Sequence, residues 1–292
     1  MSRRDQGFIL PAALWMLAAL AALASSYAAY VARTAPSASL PEERLRAEAA
    51  IRAGIELCAF RQLAWPKPAR PDSGGFSTQV GRSRIDVVYS SENARVDLNA
   101  APRELIGNLF VQLGASANAA GFLADRVLAW RNQMKDSERQ REAAIYAKAG
   151  LTYQPPGLPF DNALEISLLP GMSSAFAERA LHYVTVFSGV GKIDPLVADP
   201  LVLAALPGMT SSVANIFLSA RNRPRPDAAA LARMAGPVKD YVGAESNDKL
   251  RAEIVASVNA RRVRAEVVLK INEGGLAPYE ILYWRDDFDG GE

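Results

Sequence analysis

The segment RRDQGFILPAALWMLAALAALASSYAAYVAR, residues 3–33, places two arginines before a long apolar run that contains no charged side chain. At 1.5 Å per residue, Phe8–Val31 would form a helix about 36 Å long, enough to cross a hydrocarbon core of about 30 Å. A cleaved secretory signal has an apolar region of only about 7 to 15 residues. The run therefore predicts a membrane-spanning helix, and the preceding arginines predict a cytoplasmic N-terminus.

The composition gives no indication of an enzyme. The chain has 292 residues, of which 50% are hydrophobic, and a formal net charge of +2. That length permits one or two domains with sizeable cores, and the charge does not indicate nucleic-acid binding. The single cysteine, Cys58, excludes an intrachain disulfide and a thiolate metal cluster. Cys58 and the only histidine, His182, lie in helical patterns, so we predict structural roles for both, no catalytic residue and no cofactor.

A second helical pattern follows the apolar run. A Pro- and Ser-rich stretch at residues 34–41 predicts a short break, after which residues 42–65 return to helical spacing. Ile51, Ile55 and Cys58 share one side of this stretch. We expect an amphipathic helix that continues the membrane span and lies with its apolar side on a sheet. The segment WPKPARPDSGG ends it, because three prolines and two glycines cannot continue a helix.

Strand patterns occur at two distant places. Residues 76–90, FSTQVGRSRIDVVYS, alternate around a glycine-containing turn and predict a hairpin. Residues 252–260, 263–272 and 279–284 are rich in β-branched and aromatic side chains, which favours three further strands. About 150 residues between these two places are almost all helical in pattern. The chain therefore predicts an α+β fold, with a helical block between the strands of an antiparallel sheet.

The helical block opens with RVDLNAAPRELIGNLF, residues 95–110. Asp97 and Asn99 can accept hydrogen bonds from nearby backbone amides, and Pro102 suits a first helical turn. Glu104 suits the positive end of a helix dipole. Because Ala101 is a poor cap, we expect Asn99 to cap the helix. The motif predicts a helix start and no chemistry.

The junction between the basic leader and the apolar run is Gly7-Phe8. It resembles the cleavage signal of type IV pilins and of type II secretion pseudopilins. In those families a dedicated peptidase cuts after the glycine, and the new N-terminus is usually methylated. The resemblance implies a leader at Met1–Gly7 and N-methylation of Phe8. An ordinary single-pass anchor is the alternative interpretation.

The fifth residue after that junction departs from the resemblance. Most members of those families carry a glutamate there, which can pair with the free amine of the neighbouring subunit. Here the fifth residue, counted from Phe8, is Ala12. An unpaired charge in hydrocarbon is costly, and a subunit with nothing above it has no amine to neutralise. Ala12 therefore predicts a position at a filament tip, or else a protein that belongs to no filament.

The whole chain resembles the general secretion pathway protein K family, the large minor pseudopilins of type II secretion. That family lacks the membrane glutamate and carries a helical domain inserted into a pilin fold. Its insert opens with a motif that this sequence matches at Val96, Asp97, Leu98, Asn99 and Ala101. The segment YEILYWR, residues 279–285, is similar to the last strand of the family.

The resemblance implies a division of the chain. We expect a prepilin leader at residues 1–7, an N-terminal helical region at 8–66 with its transmembrane part at 8–32, and a pilin-like β region formed by 67–95 and 250–292. Residues 96–249 would form the inserted all-α domain. The resemblance also implies a single-pass protein of the inner membrane, with its soluble part in the periplasm.

The function implied is that of a non-catalytic tip subunit, which initiates and caps the pseudopilus for protein export across the outer membrane. The implied partners are the other minor pseudopilins, the major pseudopilin and the prepilin peptidase. No nucleic acid is expected. Some relatives bind calcium through acidic loops, but residues 128–140 here offer only Asp136 and Glu138. Because calcium prefers six to eight oxygen ligands, we predict no metal.

Two similar segments keep a different function open. LLPGMSSAFAERAL, residues 168–181, and ALPGMTSSVANIFL, residues 205–218, both place Leu-Pro-Gly before a helix pattern. Such turns resemble those of helix-hairpin-helix modules, which hold phosphates on backbone amides. A membrane-anchored DNA-binding or competence protein is thus the alternative. Because neither turn has a basic residue, we favour two helix pairs that share one turn structure.

Overall fold

The computed structural model describes residues 6–221, 231, 236–243, 248–258 and 261–287. Their helices and strands form an α+β fold with an antiparallel sheet, as predicted. The elements are α1 (Gln6–Leu63), β1 (Ser73–Val80), β2 (Ser83–Ser91), β3 (Val96–Asp97), α2 (Arg103–Gln112), α3 (Ala117–Arg131), α4 (Asp136–Lys148), α5 (Ser174–Leu181), β4 (Val184–Thr185), α6 (Pro200–Ala205), α7 (Ser211–Arg221), β5 (Lys249–Val258), β6 (Arg261–Ile271) and β7 (Tyr279–Asp286). Short 3₁₀ turns occur at Lys67–Ala69, Glu92–Ala94, Ala163–Leu168 and Gly236–Val238.

Helix α1 is one continuous helix of 58 residues. The prediction that an amphipathic helix continues the apolar run is confirmed, but the predicted break at residues 34–41 is wrong. A proline inside a helix removes one hydrogen bond, while its fixed φ of about −65° remains helical. Pro36 and Pro41 therefore weaken α1 without ending it. The helix ends before the proline- and glycine-rich segment, as predicted.

The five-stranded sheet has the order β1-β2-β5-β6-β7, and every neighbouring pair is antiparallel. The predicted hairpin is β1 and β2, which turn at Gly81 with a φ of +59°. The three predicted C-terminal strands are β5, β6 and β7. Strands β2 and β5 are neighbours, with Ser91 paired to Leu250. The long segment between them therefore leaves the sheet and returns to it at the same place.

The C-terminal part of α1 packs on one face of this sheet. Gly54 lies at the closest approach, where an added Cβ would be 2.8 Å from Cγ2 of Ile254. The absence of a side chain at this position lets the helix backbone come near the strands. The buried side chains of this first core come from α1, β2, β5 and β6 and include Ile51, Ile55, Cys58, Ile85, Val87, Ile254, Ala265 and Val267.

The segment between β2 and β5 forms a second hydrophobic core, built largely by α2, α3 and α5 to α7. It is mainly helical, as the almost entirely helical pattern predicts, but it also contains two short strands that an all-α domain would lack. Strand β3 pairs in parallel with β4, with Val96 opposite Val184 and Asp97 opposite Thr185. Two residues per strand are too few to give a recognisable alternation in the sequence.

Candidate assembly site

The N-terminal part of α1 has the length and composition of a membrane span. Leu10–Tyr30 has a mean hydropathy of 1.6, and none of the window is buried. Large apolar side chains such as Trp15, which is 78% exposed, are not covered by any of the described residues. Among the described residues, α1 is the one helix that is both long enough and apolar enough to cross a bilayer. Such a surface is suited to contact with lipid or with other apolar helices.

The residues predicted for processing and filament position lie at the start of α1. Gly7, Phe8 and Ala12 all fall inside this helix. Arg3 and Arg4 of the predicted leader lie outside the described residues. Between Gln6 and Tyr30 the sequence has no charged residue, so the first turns of α1 carry no carboxylate that could pair with an amine. Leader cleavage, methylation and the tip position remain predictions.

The segment between β2 and β5 is called the helical region below. Its opening motif is held by a buried carboxylate. Asp97 is 1% exposed, and its Oδ1 accepts hydrogen bonds from the amides of Asn99 at 2.7 Å and Ala100 at 3.1 Å. Its Oδ2 accepts from Oγ of Ser188 at 2.8 Å and from the amide of Gly189 at 2.7 Å. The predicted bonds from Asp97 to nearby amides are confirmed. The contacts to residues 188 and 189 were not predicted, and they join the beginning of the region to the loop after β4.

Asn99 does not cap α2, so that prediction is wrong. The N-cap of α2 is Pro102, without a side-chain hydrogen bond. Asn99 instead donates from Nδ2 to the carbonyl of Phe160 at 2.9 Å and accepts from the amide of Phe160 at 2.8 Å. The carbonyls of Leu98 and Ala101 accept hydrogen bonds from Arg131 at 2.6 and 2.8 Å. The motif therefore acts as a structural centre of the helical region, and Val96, Leu98 and Ala101 are buried around it.

The two Leu-Pro-Gly segments share one turn structure, as predicted. Gly171 and Gly208 have φ values of +83° and +78°. In each copy a hydroxyl caps the following helix at 3.3 Å, Ser173 for the amide of Phe176 and Thr210 for the amide of Val213. The preceding element is a 3₁₀ turn in the first copy and α6 in the second.

The arginines near these turns have structural contacts. Arg221 donates to the carbonyl of Pro195 at 2.9 Å and also to that of Ala198. Arg179 stacks on the ring of Phe176, with 5.4 Å between its guanidinium carbon and the ring centroid. Arg223 lies outside the described residues. These contacts favour the structural interpretation of the turns over phosphate binding.

A buried ion-pair cluster joins the helical region to the sheet, and no sequence pattern indicated it. Nε of Arg251, on β5, lies 2.8 Å from Oε1 of Glu92, whose side chain is fully buried. Nη1 of Arg251 lies 2.5 Å from Oε1 of Glu266 on β6. Burial lowers the pKa of Arg251, but the two carboxylates raise it by more, so the guanidinium stays charged. Thr185, on β4, donates a hydrogen bond to Glu92.

The cysteine, the histidine and the two acidic residues considered above for catalysis or metal binding make contacts that support a structural role. Burial raises the pKa of the Cys58 thiol to about 12, which keeps it protonated at neutral pH. Nδ1 of His182 lies 3.0 Å from the carbonyl of Glu178. Asp136 and Glu138 lie in the first turn of α4, where Glu138 accepts from the amide of Lys135. The described residues contain no group of three or more His, Cys, Asp or Glu side chains that could hold a metal ion.

Two comparisons with known proteins give matches. Residues 85–189 match the family model of type II secretion system protein K. The fold is similar to that of a chain in the crystal structure of the GspK–GspI–GspJ complex from the enterotoxigenic Escherichia coli type 2 secretion system. The TM-score is 0.58 with 15% identity, over 87% of this chain and 99% of that chain. A search of curated proteins by sequence finds no match.

The matched residues begin in β2 and run past β4, so they include the buried Asp97, the Asn99 contacts and the first Leu-Pro-Gly turn. Over these residues the chain is therefore similar to type II secretion system protein K, and its fold is similar to that of a chain in the solved complex.

Proposed function

We propose that the protein is a non-catalytic minor pseudopilin, which initiates and caps the tip of the pseudopilus for protein export across the outer membrane. The observation that carries this proposal is the family match combined with Ala12 at the fifth residue after Gly7-Phe8. A subunit at the apex has no neighbour above it whose amine a glutamate could neutralise. An unpaired carboxylate costs about 3 kcal/mol at the centre of a membrane helix; Ala12 lies near the beginning of the span Leu10–Tyr30, where a carboxylate is still unfavourable but costs less. An alanine avoids this cost.

The arrangement of the chain supports a pilin-like fold with an insertion. Helix α1 packs along an antiparallel sheet, and the mainly helical segment connects two neighbouring strands, β2 and β5. We therefore keep the division into a leader at 1–7, an N-terminal helical region at 8–66, a β region at 67–95 and 250–292, and an inserted helical domain at 96–249. The insert adds bulk that suits the end of a fibre better than a shaft packed on all sides.

The proposed processing and assembly of the protein begin at the inner membrane. The prepilin peptidase removes Met1–Gly7 on the cytoplasmic side, and Phe8 becomes the methylated N-terminus. The span within residues 8–32 anchors the subunit, and the remainder projects into the periplasm. A chain of similar fold was crystallised within the GspK–GspI–GspJ complex, which supports other minor pseudopilins as partners. The major pseudopilin would then add beneath the tip.

Labelling the protein on assembled pseudopili tests the tip position directly. We expect one label at one end of each fibre when a tag on the full-length chain is detected by immunogold electron microscopy. Labels distributed along the fibres would overturn the proposal.

In the same strains, Gly7→Val should leave the leader attached, as measured by the mass of the protein. A mature mass unchanged by Gly7→Val would instead favour a plain membrane anchor.

Substitution of Ala12 tests the role of the uncharged position. Ala12→Glu should reduce the number of pseudopili and the amount of secreted protein, because the apex would hold an unpaired carboxylate. Ala12→Val is the matched control, since it changes the size without adding charge, and it should leave both quantities unchanged. Equal fibre numbers for Ala12→Glu and Ala12→Val would contradict the proposed role of this position.

DNA binding distinguishes the alternative function. A helix-hairpin-helix protein would bind duplex DNA with an affinity that falls steeply as salt increases. The tip role predicts no such binding by the purified full-length protein in detergent, measured by fluorescence anisotropy. Salt-dependent binding at micromolar concentration would favour the competence alternative.

A further inference from the structure

Gly7 and Pro11 are four residues apart in α1, which places them in a direct backbone relationship. In an α-helix the carbonyl of each residue accepts a hydrogen bond from the N–H of the residue four positions later. The carbonyl of Gly7 would accept from residue 11, and proline has no N–H. Both residues lie within α1, which begins at Gln6. The helical bond to the Gly7 carbonyl is therefore withheld by the covalent structure of Pro11.

Two further effects weaken the helix at the same place. A proline ring inside a helix crowds the carbonyl four residues earlier, here that of Gly7. Glycine is itself a poor helix former, because it loses more backbone freedom than other residues on folding. The next proline along the chain is Pro36, so no other proline weakens the apolar part of the helix. The least stable peptide unit in the first turns of α1 is thus the one between Gly7 and Phe8.

This weakness affects the precursor and the mature protein differently. Once the bond between Gly7 and Phe8 is cut, Phe8 is the first residue and Pro11 is the fourth. The first four N–H groups of any helix lack a partner inside the helix, so a proline at the fourth position removes no bond. Pro11 therefore destabilises the helix only while the leader is attached.

We propose that Pro11 is a positioning residue for leader cleavage, which opens α1 at the Gly7–Phe8 peptide bond so that the peptidase can reach the Gly7 carbonyl. This inference rests on the proposed processing at Gly7. In the hydrolysis, water adds to the carbonyl carbon of Gly7, and the bond from that carbon to the nitrogen of Phe8 breaks. Both protons of the water pass to the nitrogen of Phe8, which becomes an ammonium group, and Gly7 is left with a carboxylate. A carbonyl inside an intact helical turn is shielded from this attack by the surrounding backbone.

The cleavage rate of the full-length precursor tests the proposal. We would incubate it with purified prepilin peptidase in proteoliposomes and follow the loss of the leader by mass spectrometry. Pro11→Ala should lower kcat/KM at least fivefold. Pro11→Gly should give an intermediate rate, because glycine restores the N–H but keeps the helix weak. A wild-type rate for Pro11→Ala would overturn the inference.

A second proline separates local opening from a general effect on the helix. In the double variant Pro11→Ala/Ala18→Pro, the new proline withholds the helical bond from the carbonyl of Leu14 instead. We expect this variant to stay as slow as Pro11→Ala, and recovery of the wild-type rate would overturn the inference. Membrane insertion, measured by carbonate extraction, serves as the control for all variants.

Hydrogen exchange gives a readout that does not depend on the peptidase. In the uncut precursor in detergent micelles, the amides of residues 9–13 that are common to both chains should exchange more slowly in Pro11→Ala than in the wild type. Equal exchange rates would overturn the inference. If the wild-type precursor itself is not cleaved after Gly7, the proposed function fails first. If it is cleaved and Pro11→Ala is cleaved equally fast, only the role of Pro11 fails.

Discussion

The side-chain amide of Asn99 pairs with both backbone polar groups of Phe160, although 61 residues separate them along the chain. One bond is donated by Nδ2 at 2.9 Å, and the other is accepted by Oδ1 at 2.8 Å. The ring of Phe160 stacks on Trp130, with centroids 5.6 Å apart. The pairing therefore holds the loop before the first Leu-Pro-Gly turn against the beginning of the helical region.

Removal of this amide should destabilise the protein. Asn99→Ala leaves the amide and the carbonyl of Phe160 without these partners, and we expect a loss of about 2 kcal/mol in the free energy of unfolding. Asn99→Asp keeps the acceptor but loses the donor, so it should also be destabilising. Chemical denaturation of the full-length protein in detergent measures both. The exposed Asn118 provides the control, because Asn118→Ala should change the stability by less than about 0.5 kcal/mol.

Gly54 should not tolerate a side chain, although alanine favours helices. Gly54→Ala would place its Cβ 2.8 Å from Cγ2 of Ile254 and 3.1 Å from Cγ2 of Ile85. We expect a net loss of about 1 to 2 kcal/mol, because overpacking outweighs the better helix propensity. Gly107→Ala in α2 is the matched control. Its Cβ would lie 3.8 Å from that of Ala124, an ordinary contact, and should stabilise by up to about 1 kcal/mol.

A double-mutant cycle locates the cause of this loss. If the clash with Ile254 is responsible, Gly54→Ala should cost less in an Ile254→Ala background than in the wild type. Equal costs in the two backgrounds would assign the loss to something other than this contact. Thermal and chemical unfolding of the four proteins provide the measurement.

The carboxyl of Asp72 should make the stability depend on pH. Burial raises the pKa of Asp72 to about 6, and the nearby carboxylate of Asp194 adds to this. Because the folded state then binds the proton more tightly than the unfolded state, this group stabilises the fold at low pH, and its contribution is lost as pH rises through about 6. Asp72→Asn should therefore increase stability at pH 7.5 by about 1 kcal/mol and have little effect at pH 4. Unfolding measured at several pH values tests this, and a gain that is equal at both pH values would contradict it.

The buried cluster at Arg251 should be sensitive to loss of its charge. Arg251→Met leaves the fully buried Glu92 without its closest cation, and we expect a loss of about 3 to 5 kcal/mol. The exposed pair of Arg264 and Glu253, at 3.0 Å, is the matched comparison. Arg264→Met should cost less than about 1 kcal/mol, because solvent screens that pair. Similar losses for the two variants would show that burial does not govern the contribution of Arg251.

Local patterns predicted the elements whose structure is determined by near neighbours. The hairpin of β1 and β2, the three C-terminal strands and the two Leu-Pro-Gly turns follow from alternation, β-branched residues and turn residues within short windows. Prolines misled the prediction at residues 34–41, since a proline weakens a helix but does not have to end it. The apolar side of α1 was also predicted, because helical spacing places Ile51, Ile55 and Cys58 on one face.

Long-range polar contacts were beyond the reach of such patterns. Glu92 and Arg251 are 159 residues apart, and neither lies in a segment whose spacing signals burial. The sequence predicts Asn99 as a helix cap, because an asparagine near a helix start often caps it. Its actual partner is determined by the packing of the whole helical region. Asp97 was predicted better, since two of its four bonds are to amides two and three residues away.

The pairing of Ser91 with Leu250 places the two chain connections of the helical region side by side, at the end of β2 and the beginning of β5. Insertions and deletions within the helical region can therefore occur without moving any strand of the sheet. Chimaeras that replace the segment between these two positions but retain Glu92, the partner of Arg251, should keep α1 packed on the sheet.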